Sequence, residues 1–287
     1  MNGARRWGAG LLGVPLGESG SGRQRYANAM ALYQTGQICA ARLEAYRIAA
    51  ASDTEPPDRV LAERGLSFAN APADRICNLL DQAQLYLRAL PGPGVAEVCD
   101  GINRLRDGPP SLAVTPENTV VTAHLPAALA ALGQTHPDLA GAIGAARPDL
   151  NWITYDGYPP EQIGAGFATG HAYTSFRGQD AAIAALDFDF GLFLIAPHVL
   201  YRDHNHAAPE LYAPLTGPHG WRFGPDDPLT IKPAHQPVWN PPFQPHLTKV
   251  GPTPFLCFFG WTRDVEQVAQ VIPAPDWAPL EALRLGP

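Results

Sequence analysis

A chain of 287 residues, 46% hydrophobic and only 16% charged, is long enough to enclose one large core or two modest ones, and it has a globular rather than a disordered composition. A net charge of −7 without any cluster of Lys or Arg removes the basic footprint of a nucleic-acid binder, and no unbroken apolar run approaches the roughly 20 residues that cross a bilayer. A soluble protein rich in turns is expected from this balance and from its 31 prolines and 28 glycines.

Arg5 and Arg6 precede a short, glycine-rich apolar run that is too brief for an export signal, so residues 1–23 are expected to form a flexible arm. Between residues 24 and 148 the pattern is helical. Residues 25–51 carry Ala29, Leu32, Tyr33, Ile38, Ala41, Ala45 and Ile48 at helical spacing, and residues 74–90 repeat the pattern with Ile76, Leu79, Leu80, Ala83, Leu87 and Leu90. Shorter helices are expected over 94–105, 125–132 and 137–146. Cys39, Cys77, Cys99 and Cys257 lie in apolar stretches without CxxC spacing, as buried thiols of a reducing, cytoplasmic compartment would.

After Pro148 the texture changes. Short β-branched and aromatic runs cover 151–155, 166–176, 190–201, 210–214, 221–223, 229–232 and 255–262, separated by Pro, Gly and Asp/Asn turns. This predicts an α+β protein: a helical region followed, over residues 149–287, by an antiparallel sandwich or barrel of short strands.

The most informative stretch runs from Tyr201 to Tyr212. Residues two apart on a strand share a face, so His204 and His206 can present their imidazoles to one point, and Glu210 and Tyr212 share a face after the Ala207-Ala208-Pro209 turn. As a hairpin, these strands would aim two imidazoles, a carboxylate and a phenol into one cavity. His246, in a Pro-His phrase about 40 residues on, is positioned to supply a last ligand. A His-x-His pair alone is common on exposed strands, but the combined pattern is restrictive. Such a donor set suits one divalent transition metal, Zn, Fe, Mn, Co or Ni, with coordination left for water or substrate.

These residues resemble the cupin superfamily, whose first motif is His-x-His followed by Glu and Gly and whose second supplies a further His. Within it they are most similar to the dimethylsulfoniopropionate (DMSP) lyases, where a Tyr stands two residues beyond the Glu. Tyr201 before the His pair, Tyr212, His246, the phrase from Phe190 to Pro197, the Gly217 to Trp221 spacing, and Trp261 fifteen residues after His246 fit that pattern over residues 150–265. The resemblance implies a jelly-roll cupin barrel and a metal-dependent carbon–sulfur lyase. Such an enzyme releases dimethyl sulfide and acrylate by β-elimination, with Tyr212 as base and Tyr201 assisting. A small-molecule carboxylate is the implied partner, and the family and the apolar N-terminal helices are compatible with a homodimer.

Trp221, Trp239 and Trp261 are candidates to hold a sulfonium through cation–π attraction, and His198 shares strand parity with His204 at the cavity mouth. His219 and His235 fall in turns and are expected to be solvated, while His124, His136 and His171 have no partner nearby in sequence. The sequence leaves open a cupin lyase acting on another small carboxylate, a metal-dependent dioxygenase or isomerase with the same ligands, and a non-enzymatic effector-binding cupin.

Overall fold

The computed structural model describes residues 19–34, 40–55, 60, 63, 72–104, 116–179 and 181–286. The chain separates into two compact units, Met1–Leu85 and Tyr86–Pro287.

In the first unit, helices α1 (Ser21–Gln34) and α2 (Ala40–Ala49) occupy the stretch where helical spacing is expected over 25–51, and α3 (Pro72–Ala89) begins in the same unit. Asp53 accepts hydrogen bonds from the first amides of the α1 segment, Gly20 N at 2.8 Å and Gly22 N at 2.7 Å, so Ser21–Arg23 belong to a helix rather than to the expected arm. Residues 1–18 of that arm, Ile38, Cys39 and Leu105 lie outside the described residues. On α3, Ile76, Leu79, Leu80, Ala83 and Leu87 are buried, the stripe that its helical spacing predicts.

The second unit combines helices with two sheets, so the texture change near residue 148 does not coincide with the division between compact units. Helices α4 (Val95–Arg104), α5 (Thr119–Leu132) and α6 (Pro137–Ala146) precede the strands. Their apolar faces need a partner, and α5 lies against β1, β3 and β10. It also starts six residues earlier than expected. Asn118 caps it by accepting from Val120 N and Val121 N at 3.0 and 3.3 Å, while the internal Pro126 obscures the pattern in the sequence.

The first sheet has the order β2–β1–β3–β10–β5–β8 and the second β11–β4–β9–β6–β7. The strands are β1 His171–Gly178, β2 Ile183–Ala184, β3 Asp189–Ile195, β4 Leu200–Asn205, β5 Glu210–Pro214 and β6 His219–Arg222. They continue with β7 Thr230–Lys232, β8 Val238–Asn240, β9 His246–Lys249, β10 Phe255–Trp261 and β11 Gln270–Val271. All pairings are antiparallel except β1 with β2. In β3 and β10, Phe193, Ile195, Phe255, Cys257 and Phe259 enter the aromatic core that also holds Tyr201 and Trp221 of the second sheet. The alternate positions face the helices: a Cβ on Gly260 would strike Val98 of α4. Being covered on both faces, these central strands read as unbroken apolar runs.

Several expected strands are divided or absent. Residues 151–155 form only an Ile153–Tyr173 bridge, and 166–176 split into helix α8 (Ala165–Thr169) and β1. The run 190–201 is broken after Ile195 by a turn containing His198 at φ 65°, beyond which β4 joins the other sheet. His219, expected in a solvated turn, is a buried member of β6, which begins two residues before the expected strand. Short helices α7 (Pro160–Ile163) and α9 (Trp277–Ala282) and strands β2, β8, β9 and β11 have no counterpart among the expected elements. They are too short to establish a period. No helix among the described residues is long and apolar enough to cross a membrane.

Candidate active site

The expected hairpin of β4 and β5 does not form. The two strands lie in different sheets, so their side chains meet across the interior rather than along a ladder. His204 on β4 and His246 on β9 are in register with each other, and His206 follows the end of β4. From the opposite sheet, β5 contributes Glu210 and Tyr212.

One ring nitrogen of each histidine is tied to a carbonyl: His204 Nδ1 to Arg202 O at 2.8 Å, His206 Nδ1 to Ala208 O at 2.7 Å and His246 Nδ1 to Gln244 O at 2.9 Å. A carbonyl can only accept, so each Nδ1 donates its proton there, and Nε2 is the ring atom left to face a ligand. The potential ligand atoms of the three histidines lie within 4.8 Å of one another. His204 Nε2 and His246 Nε2 are buried with no hydrogen-bond partner among the described residues. Glu210 Oε2 sits 3.0 Å from His206 Nε2 and 3.4 Å from His246 Nε2. Acceptors converging in a buried site are a poor arrangement unless a cation stands between them, and three imidazoles with one carboxylate fit a borderline divalent metal.

The titration of these groups follows the same geometry. Burial opposes ionisation of Glu210, but His206 and His246 outweigh it and hold the carboxyl below its usual range. Burial, then His246 and His206, push His204 well below the ordinary imidazole value. Burial and then Glu210 raise the Tyr212 phenol well above its ordinary value.

A cavity of ≈ 310 Å³ opens beside this cluster. Tyr158, Tyr201, Glu210, Tyr212, Phe259 and Trp261 line it together with Asp189 and the 265–269 segment. Tyr201 shares a 2.7 Å hydrogen bond with Tyr158 and belongs to a column of stacked rings, His171, Phe167, Tyr201 and His204, with successive centroids 4.0, 3.9 and 3.8 Å apart. Trp261 donates Nε1–H to Glu210 Oε1 at 2.8 Å.

The other expected pocket residues lie elsewhere. Trp221, 1% exposed, packs in the core against Tyr212 and Phe255. Trp239 pairs with Leu211 and therefore occupies the sheet face opposite Tyr212, where it packs on Gly94. His198, lifted from strand parity by its turn, receives Lys249 Nζ on its carbonyl at 2.6 Å and does not line the cavity. Tyr158, Phe167, His171 and Asp189 reach the site from segments remote from the motif, with no spacing in the sequence to mark them.

The sequence model of the DMSP lyases matches residues 96–257, which carry the three-histidine cluster, Glu210 and Tyr212. The chain belongs to the DMSP lyase family. Among solved structures, the DMSP lyase DddQ from Ruegeria pomeroyi DSS-3 is similar at 24% identity and a TM-score of 0.51, over 69% of this chain and 95% of that one. The DMSP lyases RdDddP and RnDddQII give 16% identity and a TM-score of 0.49, over 71% and 100%. A cupin-like protein from Thermotoga maritima MSB8 gives 12% and 0.35, over 41% and 86%. No curated protein matches. The two-sheet unit of this DMSP lyase family member shares the fold of DddQ, with helices preceding and flanking its strands.

Proposed function

We propose that this chain is a metal-dependent lyase that splits dimethylsulfoniopropionate into dimethyl sulfide and acrylate. The observation that supports the reading is the cluster of His204, His206 and His246 with Glu210, a residue that together with Tyr212 also lines the adjoining cavity. His204, His206, Glu210 and His246 would hold the ion. A divalent transition metal bound there supplies Lewis acidity toward a substrate carboxylate and positive charge opposing the factors that keep the Tyr212 phenol protonated.

Tyr212 is the proposed base. As the phenolate, its oxygen takes the proton from the carbon next to the carboxylate, the electron pair left behind closes the carbon–carbon double bond, and the carbon–sulfur bond breaks to release neutral dimethyl sulfide. The Tyr158–Tyr201 hydroxyl pair faces the same cavity and is suited to orient the carboxylate and pass a proton. Trp261 offers an aromatic surface to the sulfonium, and the apolar rings around it limit water near the leaving group. Buried thiols at Cys99 and Cys257 support a reducing, cytoplasmic setting.

Headspace measurement of dimethyl sulfide, with metal analysis of the same sample, tests the reading. Tyr212→Phe should retain its metal and lose at least about a hundredfold in turnover. Turnover that requires oxygen, or a phenylalanine variant as active as the parent, would overturn it.

A further inference from the structure

Three charged residues line the cavity, Asp189, Glu210 and Glu266, and all are acidic; among the described residues no Lys or Arg joins them. If Glu210 serves the metal, Asp189 is the remaining carboxyl held within the sheet. It heads β3 in register with Trp261 of β10, which is in turn in register with Glu210 of β5, so the three side chains form one row on the inner face. Two inter-strand steps separate Asp189 from Glu210, roughly 10 Å between their Cα atoms.

The position of Asp189 is supported by the backbone around it. Strand β1 bulges between Ser175 and Arg177 opposite β3, a device that re-aims neighbouring side chains. Gly178 lets β1 approach so closely that a Cβ there would lie 2.9 Å from Asp189 Oδ1. Gly191, on the same face, admits the Thr174 carbonyl just before the bulge, which any Cβ would strike. Asp189 Oδ1 itself is enclosed with no hydrogen-bond partner among the described residues. Burial pushes the carboxyl up to about 7, with hydrogen bonding from Ser175 and the Phe190 amide acting against it and Glu210 adding to the rise. A cation arriving beside it would favour the ionised form.

We infer that Asp189 is the counter-charge for the cationic end of the substrate, a specificity residue that works with Trp261 to select zwitterionic β-onium carboxylates over carboxylates of the same shape with an uncharged tail. This rests on the proposed reading, in which the carboxylate end is held near Glu210. The row then spans the molecule: carboxylate toward Glu210, onium over Trp261, and Asp189 beyond it.

Two unreactive probes of matched shape test the inference on the metal-loaded protein: 3-(trimethylammonio)propanoate and its carbon analogue 4,4-dimethylpentanoate, whose tail carries no charge. By calorimetry the parent should bind the zwitterion about tenfold more tightly, and Asp189→Asn should abolish that preference without weakening binding of the carbon analogue. Asp189→Glu should restore part of the preference. Equal affinity of the parent for both probes overturns the inference even if Asp189→Asn fails to fold, as does an Asp189→Asn variant that weakens both probes alike. Dimethyl sulfide release without charge selectivity would remove Asp189's role and leave the lyase reading intact. Selectivity that disappears in Asp189→Asn, in a protein releasing no dimethyl sulfide, would sink the lyase reading and keep the cation subsite.

Discussion

His204 and His246 face each other in register across β4 and β9, their ring centroids 4.0 Å apart and both Nδ1 atoms bound to carbonyls. Each ring is oriented by its backbone partner, so a ligand-deleting substitution should remove metal affinity rather than the fold.

His246→Ala and His204→Ala are therefore expected to fall from about one bound metal per chain to a small fraction of that. Metal at a hundred times its dissociation constant should stabilise the parent by about 2.7 kcal/mol and leave either variant's melting temperature unmoved. Elemental analysis and thermal unfolding with and without chelator check both points.

Two tryptophans that look alike in the sequence should respond differently. Trp221→Ala empties a site in the core and should cost about 3–5 kcal/mol of stability. Trp261→Leu removes a cavity-lining ring and should raise KM for a cationic substrate, with a smaller loss in a urea melt. The outcome that contradicts this is a Trp261 variant with unchanged KM.

Asp203, next to His204, accepts from Arg222 Nε at 3.1 Å and Nη2 at 2.5 Å, and from Trp277 Nε1 at 2.7 Å. Both members of the ion pair are buried. Asp203→Ala strands the Arg222 charge, with the more exposed Asp276 as its remaining acidic partner, and should destabilise by about 3–5 kcal/mol. Replacing Asp203 and Arg222 together with apolar residues should cost less. Chemical denaturation of the single and double variants measures the difference.

Acid should weaken the fold through His171 and His219. Burial lowers their pKa values to about 4 and about 3, respectively, and each makes hydrogen bonds suited to a neutral ring. Between those values and the unfolded value near 6.5, the unfolded chain binds more protons, so stability is full above about pH 6.5 and is lost as pH falls through the window. Each ring accounts for something on the order of 3–5 kcal/mol. Urea unfolding of the chelated protein at pH 7.5 and 5 should show the loss, and His171→Gln should reduce its slope by about one proton.

Much of the fold could be read locally. The α3 stripe and the bounds of α6, opened by Pro137, follow from periodicity and proline placement. The short strands β2, β8, β9 and β11 could not be read, because no period develops over two to four residues, and the missed turn at His198 misassigned that side chain's direction.

The sequence by itself determined which side chains share a strand face: Glu210 with Tyr212, and the spacing of His204 and His206. Parity is a property of one strand and needs no partner. Only the tertiary structure decided that β4 and β5 enter opposite sheets, that β9 carries His246 alongside His204, and that Asp189, Trp261 and Glu210 form a single row. Sheet membership and register are set by pairing and packing between segments far apart in the chain, and these decide which faces meet around the cavity.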